Sequence, residues 1–178
     1  MTLKPPVSTL DHCFGNPEAA IELVEYGDFQ CPYCGRAFPI VKRIQEIFGN
    51  DLKFIFRNFP LSKIHPEAKS AAVATEAAGL QGQYWEMHHL IFENQRRLFK
   101  NALMEYAGRL NLHTGQFEAD LHNPGLIEKV ESDFESGLRS GVNATPTFFI
   151  NGEKYTGAWE GPDLENFLQQ ELAKSKNI

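Results

Sequence analysis

Apolar positions fall into short, separable runs along the chain. Residues 21–26, Ile-Glu-Leu-Val-Glu-Tyr, combine β-branched and apolar side chains and stop at Gly27-Asp28, which predicts a strand followed by a turn. From Pro32 the spacing Phe38, Val41, Ile44, Ile47, Phe48 is helical and ends at Gly49-Asn50. Pro32 takes a favoured first-turn position in that helix, and Pro39 should bend it. Residues 52–59 alternate as a second strand, closed by Pro60. Strand, helix and strand in that order predict parallel pairing through a crossover.

Beyond His65-Pro66 the pattern turns helical. Ala68, Ala71, Ala72, Ala74, Ala77 and Ala78 make a strong helix-forming stretch, broken at Gly79 and Gly82. Shorter helices are expected over 84–94, 103–110 and 117–121. A longer one, capped by Asn123-Pro124, carries Leu126, Ile127, Val130, Phe134 and Leu138 on one face. Residues 147–151 then predict a strand, Asn151-Gly152 a hairpin turn, 154–157 the partner strand and 162–174 a final helix. The expected fold class is α/β, a small mixed sheet with helices on it. Residues 18–62 and 141–175 form the sheet domain, 63–140 an all-helical insertion, and 1–17 an N-terminal extension.

Composition narrows the function. A chain of 178 residues with 42% hydrophobic positions can build a core without disulfide or metal staples, so its three cysteines are expected to serve chemistry. The net charge of −6, with no basic run longer than Arg96-Arg97, argues against nucleic acid as a partner. Apolar runs fall far short of the ~18 residues of a bilayer span, so no membrane span is expected. The first residues, Met1 to Pro6, contain no apolar signal core. A cytoplasmic location is the expectation, with a periplasmic or other extracytoplasmic one if a signal peptide has been removed.

Cys31-Pro32-Tyr33-Cys34 places two thiols one turn apart at the start of a helix, within reach of a disulfide. Cys31 lies where unpaired backbone N–H groups and the helix dipole stabilise a thiolate, which makes it the candidate nucleophile. Cys34, deeper in the helix, is the candidate resolving thiol. Half of a zinc site is the competing interpretation, needing further Cys or His ligands that are only scattered here. Glu25 is either a buried acid that takes the Cys34 proton or a solvated edge residue; alternation along 21–26 does not decide. Thr145-Pro146 opens the next strand and could offer backbone to an extended substrate. Spacing alone favours a trans bond there. Cys13 reads as an inert lone thiol and His88-His89 as ordinary helix positions, since neighbours on a helix point ~100° apart.

Together, residues 25–34, the helical insertion and Gly141-Val142-Asn143-Ala144-Thr145-Pro146-Thr147-Phe148 resemble the DsbA family of thiol-disulfide oxidoreductases, over about residues 18–174. The resemblance implies a thioredoxin-like fold with an inserted all-helical subdomain. It implies a cis Pro146 facing Cys31, Thr145 presenting backbone to substrate, and Glu25 as the buried acid. Pro32 and Tyr33 fall beside the nucleophile, where substrate binds. Tyr33 departs from the family's best-known periplasmic oxidases, which carry His there.

The expected activity is disulfide exchange with protein or peptide thiols. It needs no cofactor beyond the Cys31-Cys34 disulfide and relies on a redox partner that recycles the pair. The alternatives are a thiol-based metal-binding module and a redox-sensing domain that once belonged to a larger membrane protein.

Overall fold

The computed structural model describes residues 1–176. A five-stranded mixed sheet runs in the order β1-β3-β2-β4-β5. Strand β2 (Ile21–Gly27) pairs parallel with β3 (Leu52–Asn58) through the crossover helix α1 (Pro32–Phe48). On its other side β2 pairs antiparallel with β4 (Thr147–Ile150), which turns at Asn151-Gly152 into the short β5 (Glu153–Lys154). Helix α7 (Asp163–Ser175) closes the chain. Between β3 and β4 run α2 (Ala68–Gly79), α3 (Tyr84–Glu93), α4 (Lys100–Arg109), α5 (Thr114–Asp120) and α6 (Pro124–Arg139).

One strand lies upstream of where the hydrophobic pattern begins. Strand β1 (Cys13–Gly15) pairs antiparallel with the outer edge of β3, so part of the expected N-terminal extension is a sheet edge. Three residues are too few to show a period. The partner of Gly152 is also shorter than expected: β5 ends at Lys154, and the chain reaches Tyr155 through a single further bond, its N–H donating to the Phe148 carbonyl. Helix α1 runs unbroken through Pro39, which removes one ladder hydrogen bond without ending the helix.

Strand β2 sits at the centre with both faces covered. Leu23 and Glu25 share a face with Phe54, Phe56, Phe148 and Ile150, against a large core that includes Cys34, Ala37, Val41 and Ile44 of α1. Val24 and Tyr26 face a second cluster with Ile55, Phe59 and Phe149, against which Phe134 of α6 packs. A strand buried on both faces loses the apolar-polar alternation by which its orientation would be read. Phe59 and Phe92 are core residues, and Trp85 and Phe134 pack against core from half-buried positions.

Candidate active site

The end of β2 delivers the chain to the site through a loop that is hydrogen-bonded throughout. Asp28 is buried. Its Oδ1 accepts from the N–H groups of Gln30 and Cys31 at 2.7 and 3.1 Å. Its Oδ2 accepts from Leu61 N–H at 2.8 Å and meets His65 Nδ1 at 2.7 Å. From the helical block, Gln95 Nε2 donates to the carbonyls of Phe29 and Cys31, both at 2.9 Å. Sequence reading takes Asp28 only as a turn residue and passes over Gln95. An Asp beside Gly at a strand end is a recognisable side-chain-to-backbone turn, whereas nothing local marks Gln95.

Cys31 is the N-cap of α1 and Pro32 its first residue, as the spacing predicts. Cys31 retains 4% of its surface and Cys34 none, so the first thiol is the one an incoming sulfur can reach. Both are free thiols. Cys31 is pulled down to about 5, chiefly by the Cys34 thiol hydrogen-bonded to it. The Thr145 hydroxyl and the backbone N–H groups of Tyr33 and Cys34 help, against burial. Burial, the bond to Cys31 and the nearby Glu25 together push Cys34 well above an ordinary thiol. Asp28 N–H also donates to Cys34 Sγ at 3.4 Å. One thiol is thus a thiolate at neutral pH and its neighbour is not, the asymmetry a nucleophile and a resolving thiol require.

Pro146 is half-buried, and the Thr145–Pro146 peptide bond is cis, against the expectation from spacing alone. Cys31 Sγ lies 3.4 Å from the Thr145 carbonyl oxygen, to which it donates only when protonated, so the Thr145-Pro146 turn lies against the nucleophile. The Thr145 hydroxyl has no hydrogen-bond partner among the described residues and is free to donate to a Cys31 thiolate. Pro32 and Tyr33 are exposed, and the Tyr33 ring lies under the Arg36 guanidinium at 4.3 Å.

Glu25 is buried rather than at a solvated edge, between Phe56 of β3 and Phe148 of β4. Its Oε1 has no hydrogen-bond partner among the described residues. Burial first, and the Cys31 charge second, raise its carboxyl to about 8.

Of the other candidates, Cys13 stands apart from this cluster, whereas the two histidines border Glu25. Cys13 is on β1, its thiol facing the Phe14 carbonyl. His88 and His89 do not separate as the helix spacing predicts: their rings lie 5.5 Å apart and line one small cavity with Glu25, and His88 is no ordinary helix position. It is buried in an aromatic cage and neither ring nitrogen has a partner among the described residues. Among the described residues no three His, Cys, Asp or Glu side chains group to hold a metal ion, so Cys31 and Cys34 would be its only protein ligands of these types. Among them also, no helix is long and apolar enough to cross a membrane.

Comparison with known proteins agrees with this architecture. Residues 8–170 match the family model described as Thioredoxin. The chain belongs to the thioredoxin family. BdbD from Bacillus subtilis, in its oxidised crystal structure, superposes with a TM-score of 0.82 at 23% identity, covering 92% of this chain and 93% of that one. Wolbachia pipientis alpha-DsbA1 superposes with a TM-score of 0.83 at 22% identity, covering 95% and 94%. The fold is therefore thioredoxin-like with a helical insertion, of the DsbA type. By sequence, a Na(+)/H(+) antiporter NhaA 1 of Mycolicibacterium gilvum is 39% identical over 94% of this chain and 27% of its own length. The chain spans about a quarter of the curated relatives it matches.

Proposed function

We propose that the chain is a thiol-disulfide oxidoreductase acting on protein or peptide thiols. The observation that carries this reading is the paired thiols of opposite character, Cys31 lowered to about 5 and Cys34 raised, beside the Thr145 carbonyl. Cys31 attacks a substrate disulfide and forms a mixed disulfide, and the departing substrate sulfur leaves as a thiolate. Cys34 then gives its proton to Glu25 and attacks Cys31 Sγ. The Cys31–Cys34 bond forms as the bond to substrate breaks, and the second substrate sulfur leaves with the electron pair. Thr145 and Pro146 offer an extended backbone edge to the substrate segment, and the exposed Pro32 and Tyr33 contact it. No organic cofactor or metal enters these steps; a redox partner must return the Cys31–Cys34 disulfide to dithiol, or the reverse.

Insulin-type disulfide exchange should proceed with the wild-type chain and be abolished in Cys31→Ser; activity in that variant would overturn the assignment. The reduction potential fixes the direction and the compartment it suits. A value near about −270 mV fits a cytoplasmic reductase, and one near about −120 mV an oxidant outside the cytoplasm.

A second reading has its own observation, the antiporter names of the relatives and the quarter of their length that the chain spans. In it the domain senses redox state for a membrane transporter. Transport by such an antiporter should then differ between oxidising and reducing buffers, and equal transport in both would overturn it.

A further inference from the structure

Beside Glu25 lies a cavity of about 10 Å³, the least room that one water molecule needs. Glu25 of β2 lines it from the site, together with Phe38, Val41, Lys42 and Gln45 of α1, Phe54 of β3, and His88, His89 and Phe92 of α3. Two of these side chains are fully buried, polar and unpartnered: Glu25 through Oε1, and His88 through both ring nitrogens. A buried imidazole without partners costs on the order of 1–3 kcal/mol per unmet group, so its place among Phe29, Phe56 and Phe92 is not explained by packing. Phe56, the register partner of Glu25, stacks its edge on His88 at 4.7 Å, which sets the carboxyl and the imidazole on the same side of the sheet. Lys42, Gln45 and His89, all half-buried, line the same cavity, and they mark its way out.

We propose that His88 positions a water in this cavity and that the two together form the proton route between Glu25 and solvent. The idea rests on the exchange chemistry proposed above and adds the step that chemistry leaves open. At neutral pH, with Cys31 ionised, Glu25 keeps its own proton, and a carboxyl already protonated cannot accept another from Cys34. Forming the mixed disulfide removes the Cys31 charge, the second cause of that retention. Glu25 then releases its proton to the cavity water, and the water passes one of its protons to His88. The imidazole hands a proton on from its other nitrogen towards His89 and solvent. Glu25, now a carboxylate, takes the Cys34 proton, and Cys34 attacks. Each turnover sends one proton outward and leaves one on Glu25. Burial and neighbouring His89 keep His88 neutral, so it presents one N–H and one lone pair. The titratable groups facing the route are Cys31 and Cys34 at the inner end and Lys42 and His89 at the outer, where Glu86 and Glu93 also act on His89.

The test is two-phase stopped-flow reaction of the reduced chain with an aromatic disulfide that releases a coloured thiol. The first equivalent reports attack by Cys31, the second reports resolution by Cys34. His88→Phe, which suits an aromatic cage, should leave the first phase within twofold. It should slow the second by roughly 10- to 100-fold at pH 7, the scale of a lost proton-transfer group. His88→Gln, still able to bind a water, should recover most of that loss. In the wild-type chain the second phase alone should show a solvent deuterium effect of about twofold or more. A second phase in His88→Phe within twofold of wild type overturns the route. Should that variant not fold, a wild-type second phase insensitive to deuterium overturns it equally. A chain with no first phase, or one whose first phase survives in Cys31→Ser, instead overturns the exchange reading and the route with it.

Discussion

Cys31 Sγ lies 3.4 Å from the Thr145 carbonyl oxygen, joining the N-cap of α1 to the turn before β4. Residues 114 positions apart in sequence thereby share one polar contact at the surface of the site. The contact places a carbonyl, with no proton to give, at the spot where a substrate strand would pair. It also leaves the Cys34 thiol first, and the Thr145 hydroxyl and the α1 N–H groups after it, to carry the thiolate.

Alkylation of the reduced chain by iodoacetamide should follow a single ionisation with a midpoint near 5, assigned to Cys31 by peptide mass spectrometry. Cys34 should remain unmodified until well above pH 9. The sign of the linked stability follows. A thiol ordinarily near 9.0 and held near 5 in the folded chain makes the unfolded state bind more protons between those values. Reduced wild type should therefore gain stability over Cys31→Ser as pH rises from 5 to 9, and lose that advantage as pH falls through 5. A midpoint of 8 or higher would contradict the geometry of the N-cap.

Glu25 carries the opposite sign. Its carboxyl, ordinarily near 4.5, is raised to about 8 by burial, so ionising it costs stability progressively from 4.5 to 8. Glu25→Gln should be close to neutral at pH 4 and stabilising at pH 8, by up to a few kcal/mol at about 1.4 kcal/mol per pKa unit. The same variant should slow resolution of the mixed disulfide. Denaturant midpoints at the two pH values, measured on the reduced chain, check the first claim. An equal effect at both would mean that Glu25 is solvated.

Much of this site is legible in the sequence, and the limits have physical causes. The i, i+3 thiols, the proline at the first helical position and the break at Gly49 are local signals, and they place Cys31, Cys34 and α1 correctly. Glu25 is different. Strand β2 is covered by α1 on one face and by α6 with Phe59 on the other, so burial no longer alternates and its parity carries no information. Strand β1 is too short for a period and exists because β3 offers it an edge. Gln95 and His88 reach the site only through the docking of α3 and the loop after it, contacts of more than 60 residues' separation in the case of Gln95. A histidine in a helix gives no sign that its ring nitrogens will be left without partners.

Gly35, one turn into α1, tests the bridge made by Gln95. A Cβ there would run into the Gln95 side-chain amide, which holds the Phe29 and Cys31 carbonyls. Alanine gains about 1 kcal/mol of helix propensity. Against that stand two hydrogen bonds of about 1 kcal/mol each and the strain of an overfilled contact, about 1–3 kcal/mol. The second set is larger, so Gly35→Ala should destabilise the chain by about 2–4 kcal/mol, whereas Gly108→Ala, where a Cβ meets nothing in the same kind of element, should stabilise it. Thermal unfolding of the two variants decides it; equal gains in both would show that Gln95 does not hold the loop.

Asp28 is the residue on which the loop depends most. Its two oxygens meet four partners from two segments: Gln30 and Cys31 at the site, and Leu61 and His65 in the connection from β3 to α2. Asparagine keeps the shape and one acceptor oxygen but turns an NH2 towards N–H donors. Asp28→Asn should therefore cost about 2–4 kcal/mol, the range for hydrogen bonds to a buried charged group. His65→Ala removes one of the four partners from a position nearer the surface and should cost about 1 kcal/mol. Function separates the two variants further. Asp28→Asn loosens the Cys31 N–H and should broaden or move the alkylation midpoint, while His65→Ala leaves both Oδ1 bonds intact and should leave the midpoint near 5. Urea denaturation together with the alkylation profile measures both effects. An Asp28→Asn chain as stable as wild type, with its midpoint unmoved, would mean that α1 alone sets the Cys31 thiolate.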